Sequence, residues 1–119
     1  MHELSIAQSI LDIVLEKAEE NNAERVLGVE CAFGEKTGII KDSMQFIWEI
    51  ITADTIADKS QLHITIIDLE AECRQCGKRF VVTSLYDPCP HCQNDSITIL
   101  QGLDEMKVLS LDIDEENYT

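Results

Sequence analysis

Four cysteines, arranged as Cys73-x2-Cys76 and Cys89-x2-Cys92 with twelve residues between the pairs, carry the densest chemistry in the chain. A two-residue spacer lets a tight turn aim both sulfurs at one ion, and two such knuckles complete a tetrahedron of thiolates around zinc. Gly77 follows the first pair, where the turn needs an unhindered backbone, and Pro90 stiffens the second. Four thiolates also suit an iron–sulfur cluster. Two disulfides are the remaining arrangement, one that fits poorly with an intracellular chain. A saturated thiolate site leaves no open position for water, so its role is structural. Arg74, Lys78 and Arg79 stand where they offset part of the thiolate charge. The fifth cysteine, Cys31, falls on the apolar face of a strand pattern and reads as packing.

A second set of donors lies at the start, Met1-His2-Glu3-Leu4, in a chain with 3 histidines. The α-amine of Met1, the backbone nitrogen of His2 and its imidazole can wrap one ion, and the amide of Glu3 completes a plane of four nitrogens. Nickel(II) and copper(II) favour square-planar nitrogen sites, whereas zinc does not. Ionising two amides balances the ion's two charges. That matters at a helix start, whose partial positive end disfavours a bare cation. It also makes binding pH-dependent, which suits an ion that is later released. His91, inside the second knuckle, reads as an exposed turn residue or as a group coupling the zinc site to another metal. His63 reads as a surface or cross-strand histidine. No nucleophile stands beside a base, and Gly34-Glu35-Lys36-Thr37-Gly38 lacks the ending of a phosphate loop. The residues give an enzyme no foothold.

These donors need a scaffold, and hydropathy supplies one. Apolar residues at 4, 7, 11, 14 and 18, flanked by Ile6, Ile10 and Ile13, predict a helix from Leu4 or Ser5 to Glu20, stopped by Asn21 and Asn22. Alternation over Val26–Phe33 predicts a strand with Leu27, Val29, Cys31 and Phe33 on one face. A second helix is expected over Lys41–Thr52, with Met44, Ile47, Trp48 and Ile51 in one stripe and Phe46 and Ile50 beside it. Two further strands are expected at Leu62–Leu69 and Glu105–Ile113. The fold class is therefore α+β, two helices packed on a small three-stranded sheet with an inserted four-cysteine zinc ribbon. The expected domains are 1–70, completed by strand 103–113, and the inserted ribbon 71–102, followed by an acidic tail 114–119. Within the ribbon, Arg79–Thr83 is expected to pair with Ile97–Leu100, and metal binding to supply much of the folding free energy.

At 119 residues the chain is one domain with a small appendage, and 45% apolar content is ordinary for a globular protein. The 9 Lys+Arg against 23 Asp+Glu give a formal net charge of -14. Such a surface repels phosphate backbones, which argues against nucleic-acid binding. The ribbon has no basic stripe. No apolar run approaches the roughly 18 residues of a membrane span, and no secretory signal is visible, so a cytoplasmic location is expected. The apolar flank of the second helix permits a homodimer without demanding one.

The opening "MHELSIAQSILDIV", the glycine-containing strand-to-helix segment, the four cysteines ending in "CPHC" and the final "LDEMKVLSLDID" together resemble the HypA family of hydrogenase maturation factors, which are nickel metallochaperones. The resemblance spans essentially the whole chain. It implies nickel held by Met1, His2 and Glu3, with Leu4 close by, and zinc held by Cys73, Cys76, Cys89 and Cys92. It implies work with the GTPase HypB and delivery of nickel to the large subunit of NiFe hydrogenase, with urease maturation proteins served in some relatives. His91 corresponds to a histidine tied in the family to nickel handling or metal cross-talk. One departure is visible: relatives commonly begin the second helix with Pro-Glu, whereas this chain has Lys41-Asp42. Without the N-terminal nitrogens, the same features describe a zinc-ribbon adaptor for protein–protein assembly that carries no transferable metal.

Overall fold

The computed structural model describes residues 3–115. Its elements in chain order are α1 (Glu3–Glu20), β1 (Ala23–Gly34), a short 3-10 turn (Glu35–Thr37), α2 (Lys41–Ile51), β2 (Gln61–Ile67), β3 (Glu70–Cys73), β4 (Arg79–Val81), β5 (Ile97–Gln101) and β6 (Met106–Glu115). The chain divides into two compact units. Within the described residues the first holds 3–32, Ile39–Thr65 and 107–115, and the second holds Phe33–Gly38 and Ile66–Met106. The second unit thus draws in a loop from early in the chain as well as the segment around the cysteines.

In the first unit two helices pack against a small sheet of order β2-β1-β6. α1 buries Ala7, Ile10, Leu11, Val14 and Ala18 and leaves Glu16, Glu19 and Glu20 exposed, as its periodicity predicts, but Leu4 and Ile13 of the expected apolar face are exposed. Asn22 ends it with a left-handed backbone (φ 54°), and the Asn21 side chain donates to the Lys17 carbonyl at 2.7 Å. From α2 only Met44 and Trp48 are buried, while Phe46 and Ile50 face outward. The Trp48 indole donates to Ser60 Oγ at 2.8 Å, so its one polar atom is satisfied. β1 departs from simple alternation. Val26, Val29, Cys31 and Phe33 are buried, but Leu27 is exposed. The alternation slips by one residue at Gly28, a residue that weakens the pleat because it has no side chain to pack.

The second unit is built on a sheet of order β4-β3-β5. This corrects the expected ribbon, in which Arg79–Thr83 paired directly with Ile97–Leu100. β3 lies between them, antiparallel to both, with Ala71 opposite Phe80 on one side and Ile99 on the other. Its core is small, Leu69, Ala71 and Val82 with Phe80, Ile97 and Ile99 packed around them. Such a core is thin for independent stability, which is where a bound metal contributes most. The early loop is stitched to this unit by backbone bonds from Gly34 to the Glu105 carbonyl and from Lys36 to the Gly102 carbonyl. Lys36 Nζ also donates to the Thr83 carbonyl at 3.2 Å.

β6 continues to Glu115, so positions 114 and 115, expected to begin a tail, are strand. Residues 116–119 of that tail lie outside the described residues, as do Met1 and His2.

Candidate metal centre

The four cysteine sulfurs lie within 4.8 Å of one another, brought together by two turns of the same construction. In the first, the Cys73 N–H donates to the Lys78 carbonyl at 2.9 Å and Gly77 N–H closes onto the Cys73 carbonyl at 2.9 Å. In the second, Cys89 N–H donates to the Asn94 carbonyl and Gln93 N–H closes onto the Cys89 carbonyl, at 2.9 and 2.7 Å. Each turn places a left-handed residue four positions after its first cysteine, Gly77 at φ 77° and Gln93 at φ 64°. The hydrogen bonding and the left-handed position repeat from one knuckle to the other.

Cys73 and Cys89 are buried, while Cys76 and Cys92 are exposed. Cys73 Sγ is 3.5 Å from Cys92 Sγ, and Cys76 Sγ is 3.7 Å from Cys89 Sγ. Zinc–thiolate bonds of about 2.3 Å in a tetrahedron require sulfur–sulfur edges of about 3.8 Å. The donor set and its spacing therefore fit a closed four-thiolate site. Backbone N–H groups point at the buried sulfurs, from Gln75 and Cys76 to Cys73 and from His91 to Cys89, all at 3.4 Å. Such donors favour the thiolate over the thiol. Donation from Cys76, opposed by burial and helped by Gln75, brings the Cys73 thiol down to about 6. Cys92 accepts from the Asn94 N–H but is pushed up to about 12 by its sulfur neighbour Cys73 and by burial. Without a cation the four cannot all ionise together.

The knuckles are tied to each other and to the sheet. Asn94 Nδ2 donates to Gln75 Oε1 at 2.6 Å, and its Oδ1 accepts from the Ser96 N–H at 2.7 Å. Arg74 donates through Nε to Thr98 Oγ1 at 2.8 Å. Lys78 and Arg79 are exposed near the cluster. Asp87 accepts from both the N–H and the hydroxyl of Thr83, which with Lys36 nearby holds its carboxyl below the usual range. The sequence reading did not single out Gln75, Gln93 or Asn94. The one signal for Gln93 is its offset from Cys89, which matches that of Gly77 from Cys73.

His91 is exposed, and its backbone rather than its ring touches the cluster. His63 is exposed on β2. Cys31 is fully buried, and burial pushes its thiol up to about 11, the condition of an inert packing residue.

Of the N-terminal donors, Met1 and His2 lie outside the described residues, and Glu3 is the first residue of α1. Its carboxylate accepts from the Ile40 N–H at 2.9 Å. Ile40 is the residue that opens α2, which has no side-chain cap of its own. The side chain of Glu3 thus joins the starts of the two helices. Its backbone N–H, at the first position of a helix, has no intrahelical acceptor.

Among the described residues no helix is long and apolar enough to cross a membrane. A family model described as "Hydrogenase/urease nickel incorporation, metallochaperone, hypA" matches residues 1–113. The chain is 36% identical over 114 residues to the hydrogenase maturation factor HypA of Chlorobaculum parvum, covering 96% of this chain and all of that protein. It is 34% identical to the corresponding protein of Geobacter metallireducens, with the same coverage. Among solved structures it resembles the solution structure of the Ni metallochaperone HypA from Helicobacter pylori, at 28% identity and a TM-score of 0.64, covering 98% of this chain and all of that one.

Proposed function

This chain belongs to the HypA family, hydrogenase maturation factors that are metallochaperones rather than enzymes, and on that premise we propose that it binds Ni(II) at Met1, His2 and Glu3 and passes it on. The observation that carries the reading is a family match that includes both the Met-His-Glu opening and the four-cysteine cluster. The α-amine of Met1, the amides of His2 and Glu3 and the His2 imidazole supply four nitrogens of the kind nickel prefers in a plane. The engagement of the Glu3 carboxylate with Ile40 supports a role for its amide rather than its oxygen atoms. A planar site is open from above, so a recipient ligand enters there while one donor leaves.

Cys73, Cys76, Cys89 and Cys92 would hold Zn(II), whose contribution is folding free energy and not reactivity. The exposed His91 and the surface of the second unit are then free to meet a partner. The recipients and helpers that follow from the family are the GTPase HypB and the large subunit of NiFe hydrogenase, with urease maturation as the alternative destination named in the family description.

The test is a nickel titration of tag-free protein beside the His2→Ala variant, with zinc measured in both. The variant loses specific nickel binding and keeps its zinc and fold. Equal nickel binding in the two proteins contradicts the assignment.

A further inference from the structure

In the second unit, β4 is an edge strand with no neighbour on its outer side among the described residues. Val82 N–H donates to the Leu69 carbonyl, and Cys73 N–H donates to the Lys78 carbonyl. Alternation in an antiparallel ladder then turns Lys78, Phe80 and Val82 toward β3 and the backbone polar groups of Arg79, Val81 and Thr83 outward. Thr83 is already engaged: its N–H donates to Asp87 Oδ2 at 3.0 Å and its carbonyl accepts from Lys36 Nζ at 3.2 Å. Arg79 and Val81 keep an open edge, which is a template for a further strand. Alongside runs a groove of about 510 Å³, lined by Phe80 and Val82 from the strand and by Pro88 and Pro90 from the second knuckle. Val81 is 62% exposed beside it.

Charge identifies what this edge takes. Lys78 and Arg79 stand at one end of it and Lys36 at the other, three of the 9 Lys and Arg in a chain with 23 Asp and Glu. The Lys78 and Arg79 side chains are exposed and make no hydrogen bond or ion pair among the described residues. Glu72 lies across from Arg79 on β3 without pairing to it. Asp87, which also lines the groove, has its Oδ2 held by the N–H and hydroxyl of Thr83. A net charge of -14 turns acidic segments away from the chain at large, so a local row of cations decides where one can settle.

We propose that β4 receives an extended acidic segment of a partner protein as a fourth strand, with a carboxylate at each end of the paired stretch and apolar side chains between them. Strand addition draws its affinity from main-chain hydrogen bonds and its selectivity from the pockets that alternate side chains enter. Arg79 and Thr83 are four residues apart, about 13 Å along a strand, so the two carboxylates are also four residues apart. The side chain midway between them lies beside Val81. Its two flanking residues turn to the opposite face, where Phe80 and Val82 line the groove. The pairing asks nothing of the N-terminal nitrogens, so its outcome is separate from that of the nickel titration.

The probe is a synthetic nine-residue peptide with blocked ends, carrying three central valines with a glutamate on either side of them. It is titrated into the full, zinc-loaded, isotope-labelled chain while amide resonances are followed. Saturable shifts centred on Arg79 and Val81 are expected. The same peptide with lysine in place of both glutamates is expected to bind about tenfold or more weakly, because like charges then face Arg79 and Lys36. Arg79→Glu is expected to weaken the glutamate peptide by about tenfold as well. Val81→Pro removes one outward N–H and no bond to β3, and is expected to weaken it about fivefold. Zinc content is measured in both variants to check the fold, and if Val81→Pro loses zinc the two charge comparisons decide alone. Absence of saturable binding up to millimolar peptide overturns the proposal. So do shifts confined to the first unit, equal binding of the two peptides, or an affinity that Arg79→Glu leaves unchanged.

Discussion

Gln93 adopts a backbone conformation (φ 64°) that costs a residue with a Cβ about 1–2 kcal/mol relative to glycine. The turn imposes it, because Gln93 N–H must close onto Cys89 as Gly77 N–H closes onto Cys73. Replacing Gln93 with glycine is therefore expected to raise the melting temperature of the zinc-loaded protein, by a stability gain of about 0.5–1 kcal/mol. Gly77→Ala, at φ 77° and with nothing within 4 Å of the added carbon, should lose about 1 kcal/mol through backbone strain alone. Opposite shifts in melting temperature check the pair. Glu3 separates side chain from backbone in the nickel reading. Glu3→Ala removes the carboxylate that holds Ile40 but keeps the amide, so nickel binding should survive. Glu3→Pro removes the ionisable amide while suiting the first position of a helix, so nickel binding should fall with the helix intact. Calorimetric titration of both variants distinguishes an amide ligand from a carboxylate one, and the opposite order of effects would refute the amide. The cysteines were legible as a cluster because the two-residue spacing is itself the geometric requirement. The left-handed Gln93 was not, since glutamine carries no local preference for that conformation.

At the scale of elements, the second unit depends on close backbone approaches. Gly102 has φ 96°, and a Cβ there would lie 2.5 Å from the Asp68 carbonyl oxygen and from Leu69 Cα. Its N–H is held by the Glu105 carboxylate at 2.9 Å. Gly102→Ala is expected to cost about 2 kcal/mol or more from strain and overlap combined, seen as a lower unfolding temperature. Cys92→Ala should lower zinc content and expose the amides of β3, β4 and β5 to hydrogen exchange, and unchanged zinc stoichiometry would refute the shared-ion site. Both helices were legible from their apolar periodicity, and α1 begins one residue before the expected start. β3 was missed because Glu70-Ala71-Glu72-Cys73 is four residues long and poor in β-branched and aromatic side chains. It is a strand because β4 and β5 flank it on both sides and supply its backbone partners. The face of β1 was read correctly from Val29 to Phe33 and lost at Leu27, where Gly28 interrupts the pleat and alternation stops being informative.

For the whole molecule, the proposed function separates two metals by chemistry: thiolates would hold a resident ion and terminal nitrogens a transferable one. Residue chemistry alone made the terminal nitrogens eligible, and only the resemblance distinguished a nickel carrier from a zinc-ribbon adaptor, because three residues carry no periodicity or spacing. A strongly acidic chain concentrates cations in general without selecting nickel, so on the proposed reading selectivity is assigned to the nitrogen donors. An adaptor would be indifferent to the state of its amino terminus, whereas a carrier of this kind needs the Met1 amine uncapped. The direct measurement is a nickel titration of two preparations of the zinc-loaded chain, one with a free Met1 α-amine and one acetylated there. Acetylation is expected to remove the specific nickel site and leave zinc in place; equal nickel binding by the two preparations would contradict a site built on the Met1 amine.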